Sequence, residues 1–136
     1  MWEALVERAL SDGEIVGALT ALLPVAAAEV LVVADVTEAV VGAGVRVLCE
    51  RHFQRGEFPF RLTLYMRDEL LRSHQERQLF QGLSGTLRCA CLVSDGAPSP
   101  HSMLLLRGPG RTSQVWLDPD LLEDEEYVIL RPGAGL

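Results

Sequence analysis

The sequence predicts a single α+β domain: an N-terminal helical hairpin packed on a mostly antiparallel sheet of six or seven strands, with one crossover helix. Three observations predict it. A chain of 136 residues has the length of one domain and can bury one core. Its composition, 49% hydrophobic and 23% charged, is that of a globular protein. Helical periodicity marks the N-terminal part and one later segment, while period-two alternation broken by turn signals marks the rest. The domain is expected over residues 1–131, with 132–136 as a flexible Pro/Gly tail.

Each element has a local reason. In residues 2–10, Trp2, Leu5, Val6, Ala9 and Leu10 follow helical spacing, with Glu3, Glu7 and Arg8 facing away. Ser11-Asp12-Gly13-Glu14 matches a capping box, so a second helix is expected from Asp12 to Leu23, stopped by Pro24. Glu29 to Val36 reads as a central strand buried on both faces. Residues 45–51 and 60–67 read as a hairpin of half-buried strands. In the second strand, Phe60, Leu62, Leu64 and Met66 share one face, and Arg61, Thr63, Tyr65 and Arg67 the other. Asp68 caps a helix expected to reach Gln81 and stop at Gly82. A meander follows over 86–93, 102–107 and 112–117, with turns at 94–100 and 108–110. Asp118-Pro119 opens a short acidic helical turn, and 127–130 closes as a last strand.

The chain contains no lysine and no asparagine, and all twelve of its basic residues are arginine. Isoleucine appears only at Ile15 and Ile129, a bias that points to a GC-rich gene. Without lysine there is no P-loop lysine, Schiff base or lysyl general base. Without asparagine there is no N-linked glycosylation. Three cysteines, Cys49, Cys89 and Cys91, are an odd count with no framework spacing. The opening Met-Trp-Glu-Ala-Leu lacks the positive region of a secretory signal. The expected setting is therefore reducing and cytoplasmic. Ile15 to Ala34 is long enough to cross a bilayer. Glu29, Pro24 and acidic flanks oppose that, so the run reads as a buried helix and a buried strand, with no membrane partner.

Charge is sorted along the chain. Residues 46–88 hold eight of the twelve arginines and five acids, whereas residues 1–45 hold one arginine and seven acids. Arg61, Tyr65 and Arg67 are expected on one sheet face, joined by Arg46 from the neighbouring strand and Arg72 from the following helix. Such a face suits carboxylate or phosphate recognition and has the composition of interface hot spots. Asp118, Asp120, Glu123, Asp124, Glu125 and Glu126 form an acidic segment able to dock on a basic partner. Solvated ion pairs and a soluble helical turn are the plainer accounts of the two clusters.

Catalytic signatures fail one by one. The second helix has no basic residue, which excludes a DNA-reading helix-turn-helix, and no nucleic-acid partner is expected. Calcium-loop spacing is missing, and Cys89-Ala90-Cys91 lacks companion ligands at zinc spacing, so neither metal nor cofactor is expected. Gly82-Leu83-Ser84-Gly85 is one residue short of a nucleophile elbow, and Gly42-Ala43-Gly44 lacks the third dinucleotide glycine. Gly56-Glu57-Phe58-Pro59 resembles the Gly-His-Phe-Pro motif of hot-dog dehydratases. Glu57 replaces the catalytic histidine, however, and a strand is expected where that family has its central helix, so the resemblance ends there.

The leading expectation is a non-enzymatic interaction module, an adaptor, inhibitor or complex subunit recognising another protein or a second copy of itself. The Arg/Tyr face and the acidic segment would be its contact surfaces. An alternative is a small-ligand sensor that binds an anionic compound through Arg61, Arg67 and Tyr65. A third is an enzyme using His52, His74 or His101.

Overall fold

A computed structural model describes residues 1–130. The expected tail, 132–136, lies outside the described residues. The fold is α+β, built on one seven-stranded sheet in which only one neighbouring pair is parallel. The strands are β1 (Trp2–Val6), β2 (Val30–Val33), β3 (Val47–Phe53), β4 (Phe60–Met66), β5 (Cys91–Ser94), β6 (Ser102–Leu106) and β7 (Thr112–Trp116). Their spatial order is β2-β3-β4-β1-β5-β6-β7. The helices are α1 (Asp12–Leu22), α2 (Glu69–Arg72), α3 (Glu76–Leu87) and α4 (Pro119–Glu123).

The first expected helix is instead the middle strand. β1 pairs antiparallel with β4 on one side and β5 on the other. Ala4, Leu5 and Val6 are buried on both faces of the sheet. A short apolar run buried on both sides satisfies helical and extended spacing equally, and long-range pairing decides between them. The N-terminal helical hairpin is thereby replaced by a strand followed by α1. The capping box at α1 forms as expected: Ser11 Oγ accepts from the Glu14 N–H at 3.1 Å, and Glu14 Oε1 accepts from the Ser11 N–H at 3.1 Å. Arg8 adds a two-pronged bond to Glu14 and a third to the Leu87 carbonyl at 3.0 Å.

Two further expectations are corrected. β2, read as central, lies at the sheet's edge and pairs only with β3. A run of valines fits any strand that packs under a helix, and α1 supplies that cover here. The expected 68–81 helix is split. Asp68 caps the single turn of α2, its Oδ1 accepting from the Leu70 N–H, and α3 begins at Glu76. α3 then runs through Gly82 to Leu87, which shortens the expected 86–93 strand to Cys91–Ser94. Gly82 does not stop the helix but lets another approach: a Cβ there would sit 2.7 Å from Leu22 Cδ2 on α1. Gly85 makes the same kind of approach to the β6–β7 turn at Pro109.

α1 and α3 cover one sheet face. Ile15, Ala18 and Leu19 of α1 and Leu79, Phe80 and Leu83 of α3 meet Phe60, Leu62, Leu64, Cys91 and Val93 there. Each fully buried leucine or phenylalanine contributes roughly 1.5–3 kcal/mol. The second face is covered on one side only. Leu5, Leu92 and Leu105 pack beneath Phe58, Leu117 and Leu122 and the segment at Tyr127 and Ile129. The last expected strand, 127–130, is reduced to two isolated bridges, Gly56 with Tyr127 and Leu117 with Ile129. The Gly56–Pro59 fragment holds this segment: the Glu57 N–H donates to the Tyr127 carbonyl, and Glu57 Oε1 accepts from the Ile129 N–H.

Gly56 has φ of +101°, and a Cβ there would lie 2.8 Å from the Tyr127 backbone nitrogen. Gly56→Ala is therefore expected to cost on the order of 3 kcal/mol, combining left-handed strain with a backbone clash. Urea unfolding checks the cost, and amide exchange should rise first over residues 117–130. Hydrogen bonding from Arg8, then from the Ser11 N–H, lowers the Glu14 carboxyl from an ordinary 4.5 to about 2. A depressed acid stabilises the fold above its unfolded value and loses that contribution as pH falls through the folded one. Urea midpoints of Glu14→Gln should accordingly fall less steeply than those of the parent between pH 4.5 and 2.

Candidate functional site

The second face of β2, β3, β4 and part of β1 has no helix over it among the described residues, since α1, α2 and α3 all pack on the first face and α4 covers the opposite side of the second. Strand register lays out its side chains in rows. Leu31, Leu48 and Tyr65 stand side by side across β2, β3 and β4. Val33, Glu50, Thr63 and Glu3 form the next row, and His52, Arg61 and Leu5 the third. Leu31, Val33, Leu48 and Tyr65 belong to neither core cluster and are half-buried only by one another and their neighbours.

Acidic groups dominate the centre of this face. Glu50 accepts from the Val36 N–H at 2.7 Å, which ties down the loop after β2, and it meets His52 Nε2 at 2.8 Å. The Val36 N–H, more than His52, holds the Glu50 carboxyl below its ordinary value. Tyr65 lies near Glu50 and Glu3, and partial desolvation followed by these two charges raises its phenol. The face therefore offers an apolar row beside two carboxylates, not a uniformly basic surface.

The expected arginine cluster is only partly assembled. Arg61 and Tyr65 share the open face. Arg61 is held by Tyr127, with Nη2 3.4 Å from the phenol oxygen and Cζ 6.0 Å from the ring centre. Its Nε is buried without a hydrogen-bond partner among the described residues. Arg67 lies one residue past β4, where it donates to the carbonyls of Gly42 and Val45. Arg46 bridges Asp68, Glu29 and the Pro24 carbonyl. Arg72 donates to the Met66 carbonyl. Arg46, Arg67 and Arg72 thus strap loops to the sheet's end.

The acidic segment also divides. Asp118 caps α4 by accepting from the N–H groups of Asp120 and Leu121, and Glu126 pairs with Arg55 at 3.3 Å. Asp120, Glu123, Asp124 and Glu125 remain on the exposed side. Of the histidines, His52 alone lies on the open face, while His74 and His101 stand apart and exposed. Among the described residues, no three His, Cys, Asp or Glu side chains gather to hold a metal ion. No helix among them is long and apolar enough to cross a membrane.

A second arginine group went unnoticed in the sequence. Arg88, Arg107 and Arg111 line one cleft between the end of α3 and the β6–β7 turn, with Cys89 in its wall. Their only sequence signal is that Arg107 and Arg111 flank Gly108-Pro109-Gly110. The Cys89 thiol is lowered first by a hydrogen bond with Cys91 and then by the nearby Arg8 charge, against burial. Cys91 is raised by that same bond, and burial pushes Cys49 up to about 12. Cys89 keeps a trace of exposure in the cleft wall, whereas Cys49 and Cys91 have none, so limiting iodoacetamide at mildly alkaline pH should label Cys89 slowly but before the other two, as read by peptide mass spectrometry.

Comparison of the chain with family models, curated proteins and solved structures gives no match, so the functional reading rests on this geometry alone.

Proposed function

We propose that this domain is a non-enzymatic protein-interaction module that binds a partner on the open half of its sheet. The observation that carries this reading is the row Leu31, Leu48 and Tyr65, largely apolar side chains on regular strands with no covering element among the described residues. Apolar patches rimmed by polar groups characterise protein contact sites, and tyrosine and arginine are enriched at their centres. Here Glu3 and Glu50 flank the row on one side, and His52 and Arg61 lie beyond them. A partner with an apolar anchor and a basic residue complements that arrangement. The exposed acids of 120–125 add negative charge to the molecule's surface and favour the same kind of partner through long-range steering.

The face also explains why catalysis is not proposed for it. His52 is engaged by Glu50, and its register partner on β4 is Arg61, which offers no nucleophile. Three buried, unpaired cysteines fit a reducing setting, and we read the location as cytoplasmic.

The test is a double variant, Leu48→Ser with Tyr65→Ser. Both side chains are only half-buried, so the fold should survive with a modest loss of stability. Sedimentation velocity checks self-association, and quantitative co-purification from the native source checks another partner. Loss of the complex in the double variant, with an unchanged circular dichroism spectrum, is the expected result. A complex that forms equally well with the double variant sinks the reading, as does the absence of any complex with the parent.

A further inference from the structure

We propose that the cleft between the C-terminal end of α3 and the β6–β7 turn binds the phosphate of a small phosphomonoester. This site is separate from the open sheet face and does not depend on the reading given to it.

The arginines themselves make the first argument. Most of those described are engaged: Arg8, Arg46, Arg51 and Arg55 in ion pairs, Arg67 and Arg72 with carbonyls, Arg61 with Tyr127. Arg77, Arg88, Arg107 and Arg111 make no side-chain hydrogen bond or ion pair among the described residues, and three of these four line this cleft. Three guanidinium groups without a partner among the described residues thus line a cleft that holds a single carboxylate, Glu7, which leaves it an excess of positive charge. A bound anion would complement that excess.

The backbone is shaped to bring them together. Ser84 is buried at the end of α3, donating to the Gln81 carbonyl and accepting from the Gly108 N–H at 2.9 Å. A Cβ on Gly85 would lie 3.0 Å from Pro109 Cδ, so the missing side chain lets the turn sit against the helix. Gly108 takes φ of +107°, and the Arg107 N–H bonds to the Arg111 carbonyl across the turn. These contacts bring Arg107 and Arg111 to the same cleft as Arg88.

Arg88 itself holds the left-handed position that ends α3, with φ of +53°. Glycine takes that position at no steric cost, whereas a residue with a Cβ is strained there by about 1–2 kcal/mol. An arginine kept at a strained position beside two others fits a functional demand on its side chain.

The ligand class follows from charge and size. The one acid in the cleft, Glu7, already accepts from the Ala90 N–H at 2.7 Å. The helix end is neutralised too, because Arg8 takes the Leu87 carbonyl and the Arg88 and Cys89 N–H groups take that of Ser84. Three guanidinium groups against one carboxylate match an anion of about two charges, which a phosphomonoester carries with three acceptor oxygens. The cleft volume of about 280 Å³ accommodates a small metabolite.

Isothermal titration with methyl phosphate and inorganic phosphate tests the proposal at constant ionic strength. Dimethyl phosphate, sulfate, citrate and a phosphoserine peptide are the comparisons. The expected result is saturable one-to-one binding of the two phosphates, with dimethyl phosphate and sulfate much weaker. Arg107→Gln with Arg111→Gln should raise Kd by roughly a hundred-fold, while Arg77→Gln leaves it unchanged. All three side chains are exposed, so folding should be unaffected; Arg88→Gln is the second variant should the double one misfold. Unchanged binding in the arginine variants overturns the site. Equal binding of citrate or dimethyl phosphate overturns the monoester. Binding of the phosphopeptide without methyl phosphate overturns the small-molecule class, and no saturable heat from any phosphate overturns the proposal altogether.

Discussion

The five residues of β1 hold the molecule together. Without that strand, β2, β3 and β4 would form one ribbon and β5, β6 and β7 another, with no strand pairing between them. β1 also crosses both hydrophobic clusters, contributing Ala4 and Val6 to the helix side and Leu5 to the other. Its pairing is uneven. All five residues meet β4, but only Leu5 and Val6 meet β5. Where the β5 ladder gives out, the Glu3 N–H turns to the Glu76 carboxylate at the start of α3, so a side chain closes the gap that backbone leaves. Sheet, helix layer and C-terminal cover all refer back to this one strand.

What could be read from the sequence follows from how local the determinant is. Ser11, Asp68 and Asp118 were recognisable as caps because a cap bonds to N–H groups within three residues. Phe60–Met66 was recognisable because one face is buried and the other partly open, which writes an alternating pattern. β1 hid because burial on both faces erases alternation, and nothing nearby indicates that Leu5 lies opposite Leu92. Gly82 misled for a related reason. A glycine that ends a helix and one that admits a neighbouring helix look alike until Leu22 is in view.

The candidate site was legible in the same partial way. Arg61 and Tyr65 were placed together correctly, since both lie on one regular strand. Arg46, Arg67 and Arg72 were near in sequence but are spent on carbonyls and carboxylates at the sheet's end. Arginine suits this work because its planar fork satisfies several acceptors at once, as Arg46 does with Pro24 and Asp68. The three arginines that line the cleft without partners among the described residues come from a helix end and the two sides of a later turn, so no single element contains them.

The place of β1 in the sheet has a consequence for the order of assembly. The strand that must sit in the middle comes before both of its neighbours along the chain and has nothing to pair with until β4 and then β5 have followed. Its unpaired edges carry Leu5 and Val6 into water for that whole interval. Folding that waits on contacts between distant parts of the chain is slow, and transiently exposed strand edges invite association. Early capture by a chaperone, or by a partner synthesised alongside, would shield those edges until the sheet closes.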